Sequence, residues 1–399
     1  MKKSMLAVYT VGNIFSGQRF ASEILIQGLH AKNWEIHVLN PPGFNRLEEK
    51  INLRWFFSIK IIELIFKILF VWFQVFLSEK ETILYINLGQ TKFALIREGF
   101  PILIRKIRYF NSPTVISLHG SWFMNWDYNS FESKLFRLYL NGADFITVLG
   151  TNHKEKALSL GIAEHQIFLM DNTCTLNQLS EQEVYVKHNL ILQTYKKKTI
   201  VNVLFLSSLN EQKGYIEFIN SITLLSESNN NIFVNAILCG KTTIGREKNL
   251  QLPTHETASV WIETQINYIN KSDNAKLTWI NGAVDLEKEK LFHDAHIFIL
   301  PSRYEGQPIT ILEALASGCA IITTKVGEIP TTVNEKTVRF INECSPDVIK
   351  EVIIELSLDV EKRTQLALNG LRLFRERFSY DKHIDNWEKL LEKLIFKHF

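Results

Sequence analysis

Residues 295–318 read AHIFILPSRYEGQPITILEALASG, and their pattern indicates the fold class. Its first six residues form an apolar run of strand length, which ends at Pro301. Pro308 suits the first position of a helix and Gly318 suits its end, so a helix is predicted between them. An apolar strand, a short loop and a helix make up one half of a parallel β–α–β unit.

The same alternation of strand-like and helical patterns continues along the whole chain. In the first half, strands are predicted at residues 4–11, 35–39, 82–86, 114–118, 145–149 and 166–170. In the second half, they are predicted at 198–206, 232–238, 276–280, 295–300 and 320–324. The alternation is typical of parallel sheets, and 399 residues exceed what one hydrophobic core supports. An α/β protein of two doubly wound, Rossmann-like domains is therefore predicted.

The predicted boundary between the domains is a linker at residues 176–198, where periodicity weakens and three lysines precede a new apolar strand. This places an N-terminal domain at 1–175 and a C-terminal domain at 199–378. Residues 379–399 are predicted as a separate amphipathic helix with Trp387 on its apolar side.

Cysteine usage and the N-terminal segment predict a cytoplasmic protein. The four cysteines are widely spaced and form no Cys-x-x-Cys pair, which argues against a disulfide framework and against a zinc site. The apolar run after Lys3 is too short for a signal peptide, and no small-residue cleavage site follows it.

Charge is unevenly distributed along the chain, although the net charge is only +3. Residues 1–150 contain 17 lysines and arginines against 11 acidic residues, while the remainder contains 28 against 31. A basic first half favours an anionic partner. No basic run interleaves with stacking aromatic residues, so a membrane surface fits better than a nucleic acid.

Residues 51–77, INLRWFFSIKIIELIFKILFVWFQVFL, stand apart by their apolar composition. Three alternatives are open for them: a long buried helix, a helix in the membrane interface, or a short membrane span. The charges of Glu63 and Lys67 weigh against a span. A second helix, basic and amphipathic, is predicted from Arg97, Arg105, Lys106 and Arg108, which are set among apolar residues. Together these features predict peripheral association with the inner face of the cell membrane.

Residues suited to ligand chemistry follow the predicted strand at 295–300. Glu305 lies in the loop at the strand's carboxyl end, where open α/β sheets bind ligands. Gly306 allows close approach of the backbone, and the free amides of Ile309 and Thr310 form an anion site at the helix N-terminus. Glu313, a little over one turn later, faces the same place. Carboxylates beside free amides suit a molecule that combines hydroxyls with phosphate, such as a sugar nucleotide.

Residues 301–330, PSRYEGQPITILEALASGCAIITTKVGEIP, resemble the signature of family 4 retaining glycosyltransferases, with Glu305 and Glu313 as its E-x7-E pair. Further stretches resemble that family in the same order: SGQRFASEILIQGL at 16–29, ISLHGSW at 116–122, ADFITVLG at 143–150, MDNTC at 170–174 and LFLSSLNEQKGYIEFI at 204–219. The final helix resembles the one that crosses back onto the first domain. The resemblance covers nearly the whole chain and implies the GT-B fold, in which two Rossmann-like domains flank a cleft.

The resemblance implies catalytic roles for two residues. Glu305 would lie beside the hydroxyls and the reaction centre of the donor sugar. His119 would lie at the acceptor side of the cleft and touch the donor sugar. Gly17 would let the first loop approach both substrates.

The resemblance also implies a set of residues that bind the donor. Glu313 would hold the ribose hydroxyls, and Lys213 would contact the diphosphate. Gly306 and the amides of Ile309 and Thr310 would complete the diphosphate site.

Ser208 departs from the family pattern, because the family usually carries an arginine there. The change removes one charge-assisted hydrogen bond to the diphosphate, an effect of roughly 1.5–3 kcal/mol. Lys213 and the helix amides, with Lys241, are expected to suffice instead.

The sequence therefore predicts a retaining, metal-independent glycosyltransferase of the hexosyltransferase type that needs no cofactor. Its donor is a nucleotide-diphosphate sugar, and its acceptor is the hydroxyl of a glycan, namely a lipid-linked saccharide in surface polysaccharide synthesis of the bacterial type. Two alternatives remain open: a transferase that acts on a soluble acceptor, and a non-catalytic GT-B subunit that binds a partner or glycan. No nucleic-acid partner is expected.

Overall fold

The structure is a computed structural model that describes residues 3–10, 17–42, 53–189, 194–195, 198–228, 231–244 and 250–398, without the side chains of 53–60 and 194–195. The chain forms two compact units. Unit 1 consists of Met1–Asn172 and Tyr380–Phe399, and unit 2 consists of Thr173–Ser379.

A six-stranded parallel sheet of order β2-β1-β3-β4-β5-β6 forms the centre of unit 1. Its strands are β1 (Ser4–Val8), β2 (Glu35–Leu39), β3 (Ile83–Asn87), β4 (Thr114–Leu118), β5 (Phe145–Val148) and β6 (Ile167–Leu169). The helices of this unit are α1 (Gly17–Ala31), α2 (Leu53–Leu77), α3 (Lys92–Arg108), α4 (Phe131–Leu140), α5 (Thr151–Ser159) and the last helix of the chain, α14 (Tyr380–His398). Strands β1, β3, β4 and β5 are buried along their whole length, because a parallel sheet is covered by helices on both faces.

Helix α14 packs within unit 1, although it lies at the end of the chain. The Trp387 ring is buried and meets the Tyr85 ring of β3 edge-on, with 5.7 Å between the centroids. The Glu388 carboxylate accepts from Lys3 at 2.9 Å and from Lys32 at 2.7 Å. An apolar anchor and charged pairs beside it thus hold the helix to the unit.

A seven-stranded sheet forms the centre of unit 2. Six of its strands are parallel in the order β10-β9-β8-β11-β12-β13, and β7 pairs antiparallel with β8. The strands are β7 (Thr194–Tyr195), β8 (Lys198–Leu206), β9 (Ile232–Cys239), β10 (Ala275–Ile280), β11 (Ile297–Leu300), β12 (Ala320–Thr324) and β13 (Arg339–Ile341). The helices are α6 (Glu181–Asn189), α7 (Tyr215–Glu227), α8 (His255–Ile269), α9 (Asp285–Asp294), α10 (Ile309–Ala316), α11 (Ile329–Thr332), α12 (Pro346–Leu358) and α13 (Val360–Leu373).

The segment predicted as a linker contains helix α6, which belongs to unit 2. Val184 of α6 is fully buried against Ala367 and Leu371 of α13. The buried Arg363 guanidinium donates from Nε to His188 Nδ1 at 3.1 Å and from an NH group to the His188 carbonyl at 3.1 Å.

The predicted fold class is confirmed, because both units are Rossmann-like α/β units built on parallel sheets. Each predicted strand overlaps an observed one. Two observed strands, β7 and β13, were not predicted. They are only two and three residues long, so they show no alternation that a sequence pattern could reveal.

Helix α2 is not the buried helix that was one alternative for residues 51–77. Between Ile61 and Leu77, the buried side chains are Ile68, Val71 and Val75. The large apolar side chains on the other side of the helix are exposed, Phe66 to 69%. Within the described ranges, no helix is both long enough and apolar enough to cross a membrane.

The prediction that the four cations of α3 make it a basic, amphipathic helix is wrong, because two of them point into the unit. Arg105 is 1% exposed and donates to Ser78 Oγ at 2.7 Å and to the Glu79 and Thr82 carbonyls. Arg97 is also buried and donates to the Pro42 carbonyl at 2.9 Å. The loop carbonyls need donors where water is excluded, and a long guanidinium side chain supplies several at once.

Candidate active site

The carboxyl ends of the parallel strands of unit 2 meet at one edge of the sheet, which is where α/β proteins bind ligands. The segments that follow β8 and β11 at this edge carry Lys213 and Glu305. They are joined by a backbone hydrogen bond of 2.7 Å from Arg303 N–H to the Gln212 carbonyl.

Glu305 and Lys213 form an ion pair of 2.7 Å between Oε1 and Nζ. The Ser302 hydroxyl donates to the same carboxylate oxygen at 2.7 Å. Glu305 is only 6% exposed, and a carboxylate withdrawn from water is costly without charged and hydrogen-bonding partners. The structure therefore brings the carboxylate predicted to be catalytic into contact with the lysine predicted to bind the diphosphate.

Two glycines with left-handed backbones hold this arrangement together. Gly214, next to Lys213, has φ 75°, and a Cβ there would lie 2.6 Å from the Pro301 carbonyl oxygen. Gly327 has φ 56°, and its Cβ would lie 1.9 Å from the Glu305 carbonyl oxygen. Beside it, Glu328 N–H donates to the Gly306 carbonyl at 3.1 Å. Side chains at the two glycines would push apart the segments that position Glu305 and Lys213.

Helix α10 points its N-terminus at the same loop. It begins at Ile309 with Pro308 as the N-cap residue, one residue later than predicted. The amides of Ile309 and Thr310 have no carbonyl partner within the helix, and the proline side chain offers no acceptor. Ile311 N–H is the next along the chain and already donates to the Pro308 carbonyl at 3.1 Å. The first two amides and the helix dipole favour an anion here.

Glu313 lies in the middle of α10 and is paired with Lys288 of α9, with 2.5 Å between Oε1 and Nζ. The carboxylate is 2% exposed. Burial raises the pKa of Glu313 above its ordinary value, and the Lys288 ammonium works against that shift. The ionised carboxylate at this position could accept hydrogen bonds from two hydroxyls.

Ser208 is exposed at the carboxyl end of β8. Leu209 N–H donates to the Lys241 carbonyl at 2.8 Å, so Lys241 lies beside the segment that carries Ser208. The Lys241 side chain is exposed. A cation is thus available next to the position where the predicted family pattern has an arginine.

His119 directly follows β4 in unit 1. Its Nδ1 lies 3.1 Å from Asn172 Oδ1, and its Nε2 lies 2.9 Å from Ser117 Oγ, which in turn accepts from Thr147 Oγ1 at 2.8 Å. The amide oxygen can only accept, so Nδ1 carries the proton and Nε2 accepts from Ser117. Burial lowers the pKa of His119 to about 4, although the contact with Asn172 raises it. The ring is therefore neutral at neutral pH and held in one orientation.

Gly17 is the exposed first residue of α1 in unit 1. The next residue, Gln18, donates from Nε2 to Asn87 Oδ1 at 3.1 Å, and Asn87 Nδ2 donates back to the Gln18 carbonyl at 2.9 Å. These bonds tie the start of α1 to the carboxyl end of β3. Ser16, the first residue of the stretch predicted as the first loop and helix, lies outside the described residues.

Three residues that the sequence analysis missed support predicted ones: Ser302 contacts Glu305, Asn172 contacts His119, and Lys288 contacts Glu313. Ser302 carried a signal, because a short polar side chain directly after a strand often bonds to its own loop. Lys288 carried none, since it lies 25 residues before Glu313 on another helix.

Comparison with known proteins assigns this part of the chain to a family. Residues 190–372 match the family model of glycosyl transferases group 1. The match covers a little under half of the chain. The matched residues include Lys213, Lys288, Glu305 and Glu313, and the whole matched stretch lies within unit 2.

Two curated relatives carry glycosyltransferase names. The MMP alpha-(1->4)-mannosyltransferase of Mycolicibacterium hassiacum is 27% identical over 154 residues, which is 38% of this chain and 37% of that protein. An uncharacterized glycosyltransferase of Methanocaldococcus jannaschii is 26% identical over 129 residues, 32% of this chain and 36% of that protein. The chain thus spans little more than a third of the length of these curated relatives.

Solved structures that resemble the chain establish the GT-B fold. HepE of Anabaena in complex with UDP has a TM-score of 0.66 at 14% identity, over 98% of this chain and 100% of that one. Sucrose-phosphate synthase of Thermosynechococcus elongatus has a TM-score of 0.66 at 15% identity, over 99% and 100%. A glycosyltransferase of Rickettsia africae has a TM-score of 0.63 at 14% identity, over 99% of each chain.

Proposed function

We propose that the chain is a retaining glycosyltransferase that moves a sugar from a nucleotide-diphosphate sugar to a hydroxyl of a glycan acceptor. The observation that carries the proposal is the ion pair between Lys213 and Glu305 at the N-terminus of α10. A lysine and two free amides suit a diphosphate, and buried carboxylates at the same edge suit sugar and ribose hydroxyls.

In the proposed reaction, the bond between the anomeric carbon and the diphosphate oxygen breaks, and the acceptor oxygen bonds to that carbon on the same face. Lys213 and the amides of Ile309 and Thr310 take up the negative charge that grows on the leaving diphosphate. Glu305 lies near the positive charge that develops on the sugar. The acceptor proton passes to an oxygen of the departing diphosphate.

No metal ion or cofactor takes part in the proposed reaction, because Lys213 and the amides stabilise the leaving group. This predicts full activity in the presence of a chelator. Activity that is lost in EDTA and restored by Mg²⁺ would contradict this part of the proposal.

The relatives support a nucleotide sugar as donor. HepE has been solved with UDP and with UDP-glucose, and the curated relatives carry transferase names. Donor binding in this chain would use Glu313 for the ribose hydroxyls. Lys241 would supply the positive charge that is missing because Ser208 stands where the family pattern has an arginine.

We further propose a lipid-linked saccharide as acceptor, in surface polysaccharide synthesis, with the protein peripheral on the inner face of the cell membrane. Unit 1 supports this part of the proposal, since large apolar side chains are exposed on α2 and α3. His119 would lie on the acceptor side as a neutral, oriented ring.

A panel of nucleotide-diphosphate sugars tests the proposal. The purified protein is incubated with each donor, with and without a membrane lipid extract, and the released nucleotide diphosphate is measured. Release from one donor, accelerated by the extract, and a product with the donor's anomeric configuration are expected. A product of inverted configuration would contradict retention. No release and no nucleotide binding with any donor would favour the non-catalytic subunit instead.

A further inference from the structure

Helix α2 presents an unusual apolar surface to solvent. Its exposed residues include Ile62, Phe66, Leu69, Phe70, Phe73 and Leu77, each of them between 48% and 69% exposed. These positions recur at spacings of three and four, so they lie along one side of the helix. Scattered apolar residues on a surface are ordinary, but a run of this length on one side marks an interaction site.

The polar residues of α2 between Ile61 and Leu77 lie at one margin of that surface. Glu63, Lys67 and Gln74 recur at helical spacing, and Glu63 and Lys67 neutralise each other in an ion pair of 2.5 Å. The buried residues Val71 and Val75 face the core of the unit. The helix therefore has a side toward the core, a narrow polar margin and a wide apolar side.

Helix α3 extends the same surface. The Trp72 ring of α2 lies 4.6 Å from the Phe100 ring of α3, and Trp72 Nε1 donates to the Arg97 carbonyl at 3.0 Å. Ile107 near the end of α3 is 81% exposed, and Phe110 just after it is 90% exposed. We call the exposed apolar residues of α2, together with Phe100, Ile107 and Phe110, the α2–α3 face.

The composition of this face favours hydrocarbon over a protein as its occupant. A protein interface usually contains about one hydrogen bond per 100–200 Å². From Ile61 to Leu77, which is roughly 24 Å of helix, the apolar side of α2 offers no polar side chain. A lipid acyl region needs no hydrogen-bond partner, so such a side suits it.

Among the residues whose side chains are described, the cations of α3 differ in how they lie toward this face. Arg97 and Arg105 point into the unit, so they cannot attract an anionic surface. Arg108 remains exposed, with its guanidinium 5.3 Å from the centre of the Phe76 ring and bonded to the Phe76 carbonyl at 2.6 Å. A cation next to Ile107 can reach the headgroups while the apolar residues enter the bilayer.

We propose that the α2–α3 face is a lipid-docking surface, on which α2 lies in the plane of the bilayer and does not cross it. Phe66, Phe70 and Phe73 enter the boundary between headgroups and acyl chains. Apolar burial drives the binding, and anionic lipid is not required. The inference rests on the proposed function only in that a lipid-linked acceptor would lie in the same bilayer.

Flotation with vesicles of pure phosphatidylcholine tests the proposal. The test variant carries Phe66→Gln, Phe70→Gln and Phe73→Gln, and the matched control carries Val260→Gln, Leu358→Gln and Phe396→Gln. All six side chains are more than half exposed on helices, and glutamine is a good helix former, so both variants should fold. Thermal unfolding of both proteins checks this.

The wild type and the control are expected to bind the neutral vesicles equally at low and high salt, and the test variant is expected to bind at least about tenfold more weakly. Three results would overturn the proposal: no binding by the wild type, equal loss in the control, or binding that needs phosphatidylglycerol and disappears in high salt. A dimer that only the test variant disrupts, without vesicle binding, would identify a second copy as the occupant instead. Release of nucleotide from a donor in lipid-free solution should be the same in both variants, which separates this test from that of the transferase.

Discussion

Glu305 and Lys213 stabilise each other's charges through their ion pair. A carboxylate that is 6% exposed would be costly alone, and its ion pair with Lys213 and its hydrogen bond from Ser302 offset that cost. A bound diphosphate would share Lys213 and leave Glu305 closer to the sugar. The ion pair is therefore both a stabilising contact and a preformed part of the proposed site.

Lys288 is predicted to set the pH range in which the donor binds. Glu313 has a raised pKa, and removing Lys288 raises that pKa further because burial then acts unopposed. If Glu313 binds the ribose hydroxyls as proposed, donor binding needs its ionised form and is lost as the pH falls through its pKa. In Lys288→Met, the midpoint of this loss should move to higher pH, as measured by the Kd of the nucleotide diphosphate against pH.

Lys290→Met is the matched control for that measurement, since Lys290 lies on the same helix and pairs with the exposed Asp294 at 2.9 Å. Its midpoint should equal that of the wild type. An unchanged midpoint in Lys288→Met would mean that Glu313 does not bind the donor.

Among the secondary-structure elements, the strands of both sheets were predictable, because parallel strands in sheets covered on both faces are short apolar runs. The inward turn of Arg97 and Arg105 was not predictable. Their spacing on α3 is that of a basic surface stripe, and only the loop carbonyls around them reveal their direction. The pairing of Lys288 with Glu313 was equally hidden, because it depends on how two separate helices meet.

The loop around Gly327 is predicted to control the position of Glu305. In Gly327→Ala, the new Cβ would meet backbone at 1.9 Å, so the Glu305 segment must shift. Donor turnover should fall at least about tenfold, because Glu305 is displaced. Separately, the left-handed alanine should lower the free energy of unfolding by roughly 1 kcal/mol through backbone strain. Turnover and urea unfolding measured on the same preparation separate the two effects.

Gly161→Ala is the control for strain alone. Gly161 also has positive φ, 87°, but its Cβ would meet only the Tyr128 and Arg137 side chains, the nearest atom at 3.6 Å. It should lose a similar amount of stability and keep its turnover. Equal turnover in both variants would show that the contact at Gly327 does not position Glu305.

At the scale of the whole molecule, buried neutral histidines are predicted to make the protein sensitive to acid. Burial lowers the pKa of His153, His296 and His383 to about 4, and that of His188 well below its usual range. His296 is fixed as neutral, because its Nδ1 accepts Asn202 N–H at 3.0 Å. Histidines in the unfolded chain take up protons from about pH 6.5 downwards.

The free energy of unfolding should therefore be fully retained above about pH 6.5 and fall between pH 6.5 and 4, by roughly 1.4 kcal/mol per pH unit for each such histidine. In His296→Gln, the free energy of unfolding should depend less steeply on pH in this window, by the contribution of one histidine. Urea unfolding at several pH values measures this slope. His37→Gln, at a residue with an exposed side chain, should keep the wild-type slope. A wild-type slope in His296→Gln would contradict the neutral state of His296.

The proposed role of Glu305 is tested by measuring the release of nucleotide diphosphate from the preferred donor by the wild type, Glu305→Ala and the control Glu335→Ala. Glu335 is an exposed glutamate paired with Lys325. We predict that Glu305→Ala loses turnover by about a hundredfold or more, while its affinity for the nucleotide diphosphate is kept because Lys213 is freed. The control should match the wild type. Undiminished turnover by Glu305→Ala would contradict a transferase site built on the E-x7-E helix.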